Sequence, residues 1–86
     1  MKITFDSAKN ASNKIKHGLS FTLIKRWDWS NAVIKEDCRY DYPERRYRAF
    51  CVIDRQLYAL VFTPRANTIH AISLRKARIS EINKLI

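Results

Sequence analysis

The chain has 86 residues, of which 47% are hydrophobic and 12% aromatic, with one glycine and two prolines. This composition is that of one small globular domain over residues 1–86, and it excludes a disordered tail and two independent cores. Seventeen Lys and Arg against eight Asp and Glu give a net charge of +9. The charge predicts a polyanionic partner, and we favour RNA, although charge alone also fits DNA, an acidic protein or an anionic membrane.

Sequence signals for membranes, export and metals are weak. No apolar run approaches the roughly 20 residues that span a bilayer, and residues 1–6 lack the apolar stretch of a signal peptide. We therefore expect a cytoplasmic protein without a membrane partner. Cys38 and Cys51 match no zinc-ligand spacing, so we interpret them as free thiols in strands, acting as small apolar residues, and predict neither a metal site nor a cofactor.

The first elements predicted are a short strand at residues 3–5 and a helix from residue 8. Asp6 or Ser7 can cap the helix N-terminus, and Ala8, Ala11 and Ile15 follow at helical spacing. Gly18 stands where a left-handed residue commonly ends a helix.

A second helix is predicted directly after Gly18. Ser20 is suited to its N-terminus, and the helix is expected to run to Trp27 or Asp28. The two tryptophans, Trp27 and Trp29, could stack on bases, but at a junction between helix and sheet we expect them to belong to the core.

The remainder of the chain predicts four antiparallel strands and a terminal helix. The strands cover residues 32–36, 47–53, 57–62 and 69–75, and a basic amphipathic helix covers residues 76–86. Residues 57–62 form an almost continuous apolar run, as expected of a central strand, and Asp54 and Arg55 make a tight turn without glycine. We therefore predict an α+β fold, in which two N-terminal helices and a C-terminal helix pack on a twisted antiparallel sheet.

Alternation along the last strand predicts a phosphate-binding edge. Strict alternation puts Ser73 and Arg75 on the same face as Ile69, and Arg65 lies in the adjoining turn. A guanidinium fork suits phosphate oxygens. The alternative is that both arginines are ordinary solvated surface residues.

A second cationic cluster, with Lys16 and His17, ends the first helix. His17 is able to exchange protons near neutral pH. Cations at a helix C-terminus also offset the macrodipole, so a structural role explains His17 as well. His70 is interpreted as a partly buried structural residue.

Charged and aromatic residues also adjoin one another between the second and third strands. Glu44, Arg45, Arg46 and Tyr47 combine a carboxylate, two cations and an aromatic ring. Arginines bind phosphates and tyrosine can stack on an unpaired base, but a mixed-charge loop also serves solubility alone.

Several short segments, spread over nearly the whole chain, are together typical of one protein family. They are Phe5-Asp6, Lys9, Asn13, residues 16–21, 44–46, 61–65 and 72–77, and Glu81. Through these segments the chain resembles the BrnT toxins of type II toxin–antitoxin systems. The resemblance implies a RelE-like fold and a metal-independent endoribonuclease that inhibits translation. It also implies a BrnA-like antitoxin, a small DNA-binding protein, as partner, with a higher-order complex as a further expectation.

The resemblance also turns the separate candidates into one predicted active site. Arg65 and Arg75 are expected to stabilise the phosphate in the transition state, and His17 and Glu44 to transfer protons. The expected products carry a 2′,3′-cyclic phosphate and a 5′-hydroxyl. The residues predicted to bind RNA are Lys16, Arg45, Arg46, Tyr47, Ser73, Lys76 and Arg78. Two alternatives remain: a non-catalytic RNA- or DNA-binding domain, and an adaptor whose basic face meets an acidic protein.

Overall fold

A computed structural model describes residues 2–83 of the chain. The fold is α+β, as the sequence predicts. Its elements are β1 (Lys2–Phe5), α1 (Ser7–His17), a 3₁₀ helix (Phe21–Arg26), β2 (Val33–Glu36), β3 (Tyr47–Ile53), β4 (Gln56–Arg65), β5 (Thr68–Lys76) and α2 (Ile79–Asn83).

The five strands form one mixed sheet in the order β1-β5-β4-β3-β2. β2 to β5 pair antiparallel, but β1 pairs parallel with β5, with Ile3 opposite Ile69. The prediction of a purely antiparallel sheet is therefore wrong at one edge. The physical reason is that β1 joins the last strand of the chain, and a pairing so distant in sequence leaves no local pattern. The prediction of a central apolar strand is confirmed by β4.

A bulge in β5 changes which of its residues share a face. Val61 pairs with Ser73, and the next residue of β4, Phe62, pairs with Ala71, so that Ile72 has no partner in the register. The extra residue reverses the alternation beyond it. Ser73 and Arg75 thus lie on the face opposite Ile69 and Ala71, and the prediction from strict alternation is wrong.

The two faces of the sheet differ in what covers them. One face, the covered face, packs against the 3₁₀ helix through a core that includes Phe21, Ile24, Leu60 and Leu74, each at most 1% exposed. The other, the groove face, carries a smaller apolar cluster at one end only, where Ile82 of α2 packs against it. Beyond this cluster, the groove face carries the polar side chains of Arg48, Ser73 and Arg75.

Helix α1 is capped as the sequence predicts. Asp6 accepts hydrogen bonds from the backbone N–H groups of Ala8 and Lys9, and Gly18 ends the helix at φ 71°. No heavy atom lies within 4 Å of a Cβ built on Gly18. Glycine is therefore favoured there by backbone conformation and not by space.

The apolar side of α1 faces away from the sheet. Ala8, Ala11 and Ile15 are all exposed, and Ile15 keeps 88% of its surface. The buried residue of α1 is Asn13, whose amide contacts the edge of β5. It donates to the carbonyl of Leu74 at 2.8 Å and accepts from the N–H of Leu74 at 3.0 Å. The helix is thus held to the sheet by hydrogen bonds and not by an apolar stripe.

Other local predictions have mixed outcomes. Ser20 caps the second helix, but this helix is 3₁₀ and ends at Arg26, one residue before buried Trp27. Asp54 and Arg55 form the hairpin turn with φ values of 50° and 69°, and the glycine usual in such turns is absent. Both cysteines are free thiols, yet Cys38 lies exposed outside the strands. The predicted terminal helix begins at Ile79 and not at residue 76, because Lys76 pairs with Tyr58 as the last residue of β5. Residues 84–86 of that helix lie outside the described part.

Within residues 2–83, no helix is both long and apolar enough to cross a lipid bilayer.

Candidate active site

The groove face carries a cleft of about 290 Å³ between α1 and the loop that joins β2 to β3. The C-terminus of α1 supplies one wall, the loop supplies the other, and β3, β4 and β5 supply the floor. Five cationic side chains and one carboxylate are among its lining residues. These residues are Lys16, His17, Asp37, Arg39, Tyr42, Arg46, Arg48, Ala59, Val61, Ile72, Ser73 and Arg75.

The wall formed by α1 places Lys16 and His17 beside Ile72 and Ser73. The two hydrogen bonds between Asn13 and Leu74 hold this end of the helix against β5. Because Gly18 turns the chain away at once, His17 ends the helix at the rim of the cleft, half-buried.

The opposite wall is anchored by the buried carboxylate of Asp37. Arg39 donates to both of its oxygens at 2.8 Å, and the hydroxyl of Tyr42 lies 3.5 Å from one of them. The hydrogen bonds from Arg39 hold the pKa of Asp37 below its ordinary value, against the effect of burial. The N–H of Asp37 also donates to the carbonyl of Arg46 at 2.7 Å, so the loop closes on itself and its shape is well defined.

Two arginines in the cleft have a buried nitrogen without an acceptor. The Nε atoms of Arg46 and Arg48 are inaccessible to solvent and have no hydrogen-bond partner within residues 2–83. The guanidinium of Arg46 lies 4.1 Å from the centre of the Tyr42 ring, in a cation–π contact. An anionic ligand would supply the acceptor that these groups lack.

Arg75 is held in a fixed orientation at the other side of the floor. Its guanidinium makes two hydrogen bonds to the carboxylate of Glu81, at 2.7 and 3.2 Å. These bonds hold the pKa of Glu81 below its ordinary value. The geometry leaves part of the guanidinium free to bind a second anion, since the side chain is 37% exposed.

The other predicted catalytic pair lies apart from this cleft. Arg65 donates to Glu44 at 3.0 Å, both side chains are about half exposed, and the pairing lowers the pKa of Glu44. Arg75 pairs with Ala59 across the sheet, and Arg65 lies six residues beyond Ala59 on β4. At about 3.3 Å per residue the two arginines are separated by about 20 Å. The structure therefore does not bring Arg65 and Arg75 to one phosphate.

His70 lies beyond the cleft, on the same face. Its Nδ1 is 3.0 Å from the hydroxyl of Thr4. Burial lowers its pKa, and the nearby charge of Arg65 lowers it further. As interpreted from the sequence, it is a partly buried residue with a polar partner.

The residues predicted to bind RNA are divided between different surfaces. Lys16, Arg46 and Ser73 line the cleft, whereas Arg45, Lys76 and Arg78 are exposed outside it. The ring of Tyr47 lies on the covered face, stacked on Phe62 with their centroids 5.7 Å apart. The aromatic ring within the cleft belongs instead to Tyr42.

The chain matches one family model over residues 5–81. The model is described as a ribonuclease toxin, BrnT, of a type II toxin–antitoxin system. The chain belongs to the BrnT family. The predicted family is thereby confirmed, and the family description implies an RNA substrate and an antitoxin partner. A search of curated proteins found no match.

The BrnT match spans every residue that lines the cleft. Sequence reasoning missed four of the polar or charged lining residues: Asp37, Arg39, Tyr42 and Arg48. The signal for Arg48 was present, since an arginine stands between Tyr47 and Ala49 on an otherwise apolar strand. Asp37, Arg39 and Tyr42 had no such signal, because loop contacts cannot be read from alternation. Among residues 2–83, no cluster of three or more His, Cys, Asp or Glu side chains is arranged to hold a metal ion.

Proposed function

We propose that this BrnT protein is a metal-independent endoribonuclease whose active site is the cleft on the groove face. The observation that carries the proposal is the position of His17 and Arg75 in one cleft that also contains Lys16, Arg46 and Arg48. A group able to transfer protons thus adjoins cations that suit a phosphodiester.

The reaction proposed is attack of the RNA 2′-oxygen on the adjacent phosphorus. The bond from phosphorus to the 5′-oxygen breaks, one group takes the proton of the 2′-hydroxyl, and another protonates the leaving 5′-oxygen. The products carry a 2′,3′-cyclic phosphate and a 5′-hydroxyl. His17 performs one of the two proton transfers, and Arg75, oriented by Glu81, stabilises the charge that develops on the phosphate oxygens.

Glu44 and Arg65 are proposed to act on another part of the RNA. Their ion pair lies near the turn between β4 and β5, about 20 Å along the strand from Arg75. A single-stranded RNA that crosses the groove face can contact both places at once. The distance argues against a proton transfer by Glu44 at a phosphate held by Arg75.

The proposed biological role is that of a toxin with a RelE-like fold that inhibits translation in the cytoplasm. The family description supports the toxin role and the antitoxin partner. We propose a BrnA-like DNA-binding protein as that antitoxin, assembled with the toxin in a higher-order complex. The high positive charge supports attraction to RNA.

Expression of the protein without an antitoxin tests the proposed function. We expect wild type to stop growth and to fragment RNA, whereas His17→Asn and Arg75→Gln restore growth. Loss of a proton-transfer group costs roughly 10²- to 10⁴-fold in rate, and loss of a preorganised donor roughly 10²- to 10³-fold. Growth curves and RNA gels at matched expression measure the effect.

The control is Arg55→Gln, which removes the same charge from the hairpin turn and is expected to stay toxic. Toxicity of both cleft variants equal to wild type would contradict the site. Binding of RNA by wild type without cleavage would favour the non-catalytic binding domain. A tight complex with an acidic protein and no affinity for RNA would favour the adaptor.

A further inference from the structure

Arg48 lies on the β3 side of the cleft floor, and the proposed reaction assigns it no step. It lies on β3 opposite Val61 of β4, which in turn is opposite Ser73 of β5. One row of the sheet therefore carries Arg48 and Ser73 on either side of Val61. Arg75 lies two residues further along β5.

Arg48 differs from the paired arginines of the molecule. The ion pairs among residues 2–83 join Arg26 to Asp54, Arg39 to Asp37, Arg65 to Glu44 and Arg75 to Glu81. Arg48 takes part in none of them, and its Nε is buried without a hydrogen-bond partner in this part of the chain.

The carboxylate of Asp37 lines the same cleft but does not compensate Arg48. The charge of Arg48 contributes to the low pKa of Asp37. The oxygens of Asp37, however, accept hydrogen bonds from Arg39 and face Tyr42. A buried polar group without a partner costs free energy, and such groups are usually satisfied by a ligand or water when the protein chain does not satisfy them.

On the cleft floor, Arg48 and Arg75 lie two strands and two residues apart. Two strand spacings of about 4.8 Å and two residues of about 3.3 Å put their Cα atoms roughly 12 Å apart. Arg75 is also held by Glu81 at the far side. The two guanidinium groups are therefore placed to contact successive positions of one extended chain of phosphates.

We propose that Arg48 holds a second RNA phosphodiester, next to the one that reacts at Arg75. This inference rests on the proposed function and adds a binding subsite to it. Arg48 then fixes the register of the strand in the cleft, and it contributes to substrate binding in the ground state and the transition state alike.

Salt dependence of RNA binding tests the subsite. The probe is a short single-stranded RNA with 2′-O-methyl groups throughout, which cannot be cleaved by 2′-oxygen attack. Each neutralised phosphate of a single strand contributes about 0.7 to the slope of log affinity against log salt. We expect Arg48→Gln to reduce the slope by about 0.7 and the affinity by roughly tenfold or more, and to raise KM more than it lowers kcat.

Two further variants separate the effect of the guanidinium group of Arg48 from that of net charge. Arg48→Lys keeps the charge and is expected to keep the wild-type slope while binding less tightly, since the guanidinium fork is lost. Arg55→Gln removes an equal charge outside the cleft and is expected to leave the slope unchanged.

Each outcome has one interpretation. A wild-type slope in Arg48→Gln, with active wild-type enzyme, would overturn the subsite and leave the proposed function in place. Equal loss of slope in Arg55→Gln would also overturn it, because the effect would then be one of net charge. A wild type that neither binds nor cleaves RNA would instead overturn the proposed function.

Discussion

For His17, the structural role at the end of a helix and the proposed role in proton transfer are compatible. It ends α1 together with Lys14 and Lys16, where cations offset the helix dipole. It also lines the cleft with Ser73 and Arg75. The helix end that makes a cation favourable there also puts the imidazole beside the floor of the sheet.

The buried carboxylate of Asp37 predicts a pH-dependent part of the stability. Its folded pKa is lowered, so its contribution is complete above the ordinary value of 3.8 and is lost as pH falls through the folded value. We expect Asp37→Asn to cost about 1–3 kcal/mol at neutral pH, and this cost to shrink as the solution becomes more acid than about pH 4. Urea unfolding of both proteins across that range measures it.

Asp54→Asn is the matched control. Asp54 pairs with Arg26 in solvent, with 73% of its side chain exposed, and exposed pairs contribute little. A cost for Asp37→Asn that does not change with pH would show that the charge of Asp37 is not what stabilises the loop.

The sequence indicated a site residue only where its side chain is unusual for the helix or strand in which it stands. His17, Lys16 and Arg75 were predicted as site residues because cations of a helix end and of a strand edge stand out, and all three line the cleft. Arg48 was not predicted as a site residue, although an arginine on an otherwise apolar strand was a visible signal. The separation of Arg65 from Arg75 depends on how β4 and β5 extend past the predicted ends, to Arg65 and from Thr68.

Among the elements, β5 shows how one extra residue in a strand reverses the face of the sheet on which the following side chains lie. Alternation holds from Ile69 to Ala71 and fails at Ile72, which the bulge leaves out of register. Isoleucine is a good strand former, and nothing in its type signals a bulge. The consequence bears on the proposed active site, since the bulge turns Ser73 and Arg75 toward the groove face.

The attachment of α1 to β5 depends on Asn13. Its amide makes two hydrogen bonds to Leu74 and one to the carbonyl of Leu19, at 2.9 Å. β1 pairs with β5 only as far as Ala71. Beyond that point, the Asn13 amide satisfies the backbone of Leu74 in place of a neighbouring strand. We expect Asn13→Ala to destabilise the protein by about 2–4 kcal/mol, because buried backbone groups lose their partners. Thermal and urea unfolding measure the change.

Ser12→Ala is the control for this substitution, since Ser12 is exposed on the same helix. We expect it to change stability little. Equal stability of the Asn13→Ala variant and wild type would contradict the role assigned to Asn13. The sequence predicted α1 and both of its ends, but it did not predict this attachment, because helical spacing draws attention to Ala8, Ala11 and Ile15.

At the scale of the whole molecule, charge is concentrated where the sheet is open. Lys16, Arg46 and Arg48 have no carboxylate in an ion pair within residues 2–83, whereas Arg39 and Arg75 do. A cleft in which positive charge predominates raises the local concentration of a negatively charged substrate. The net charge that first indicated RNA thus has a location on the surface.

The α+β class and the order of the elements were predictable from the sequence, but the pairing of β1 and the position of the cleft were not. Alternating and apolar runs predicted β2 to β5, and capping residues predicted both N-terminal helices. The parallel pairing of β1 was not predictable, because it joins residues more than sixty positions apart in sequence. The cleft was not predictable either, since it forms only when α1 and the loop before β3 meet over the sheet.

Analysis of the ends produced from RNA in EDTA is the decisive test of the proposed reaction. We expect cleavage without added metal, with fragments that carry a 2′,3′-cyclic phosphate and a 5′-hydroxyl. A 2′-deoxy nucleotide at the cut site is expected to abolish cleavage there. Cleavage that requires a divalent metal, or that leaves a 5′-phosphate, would rule out attack by the 2′-oxygen.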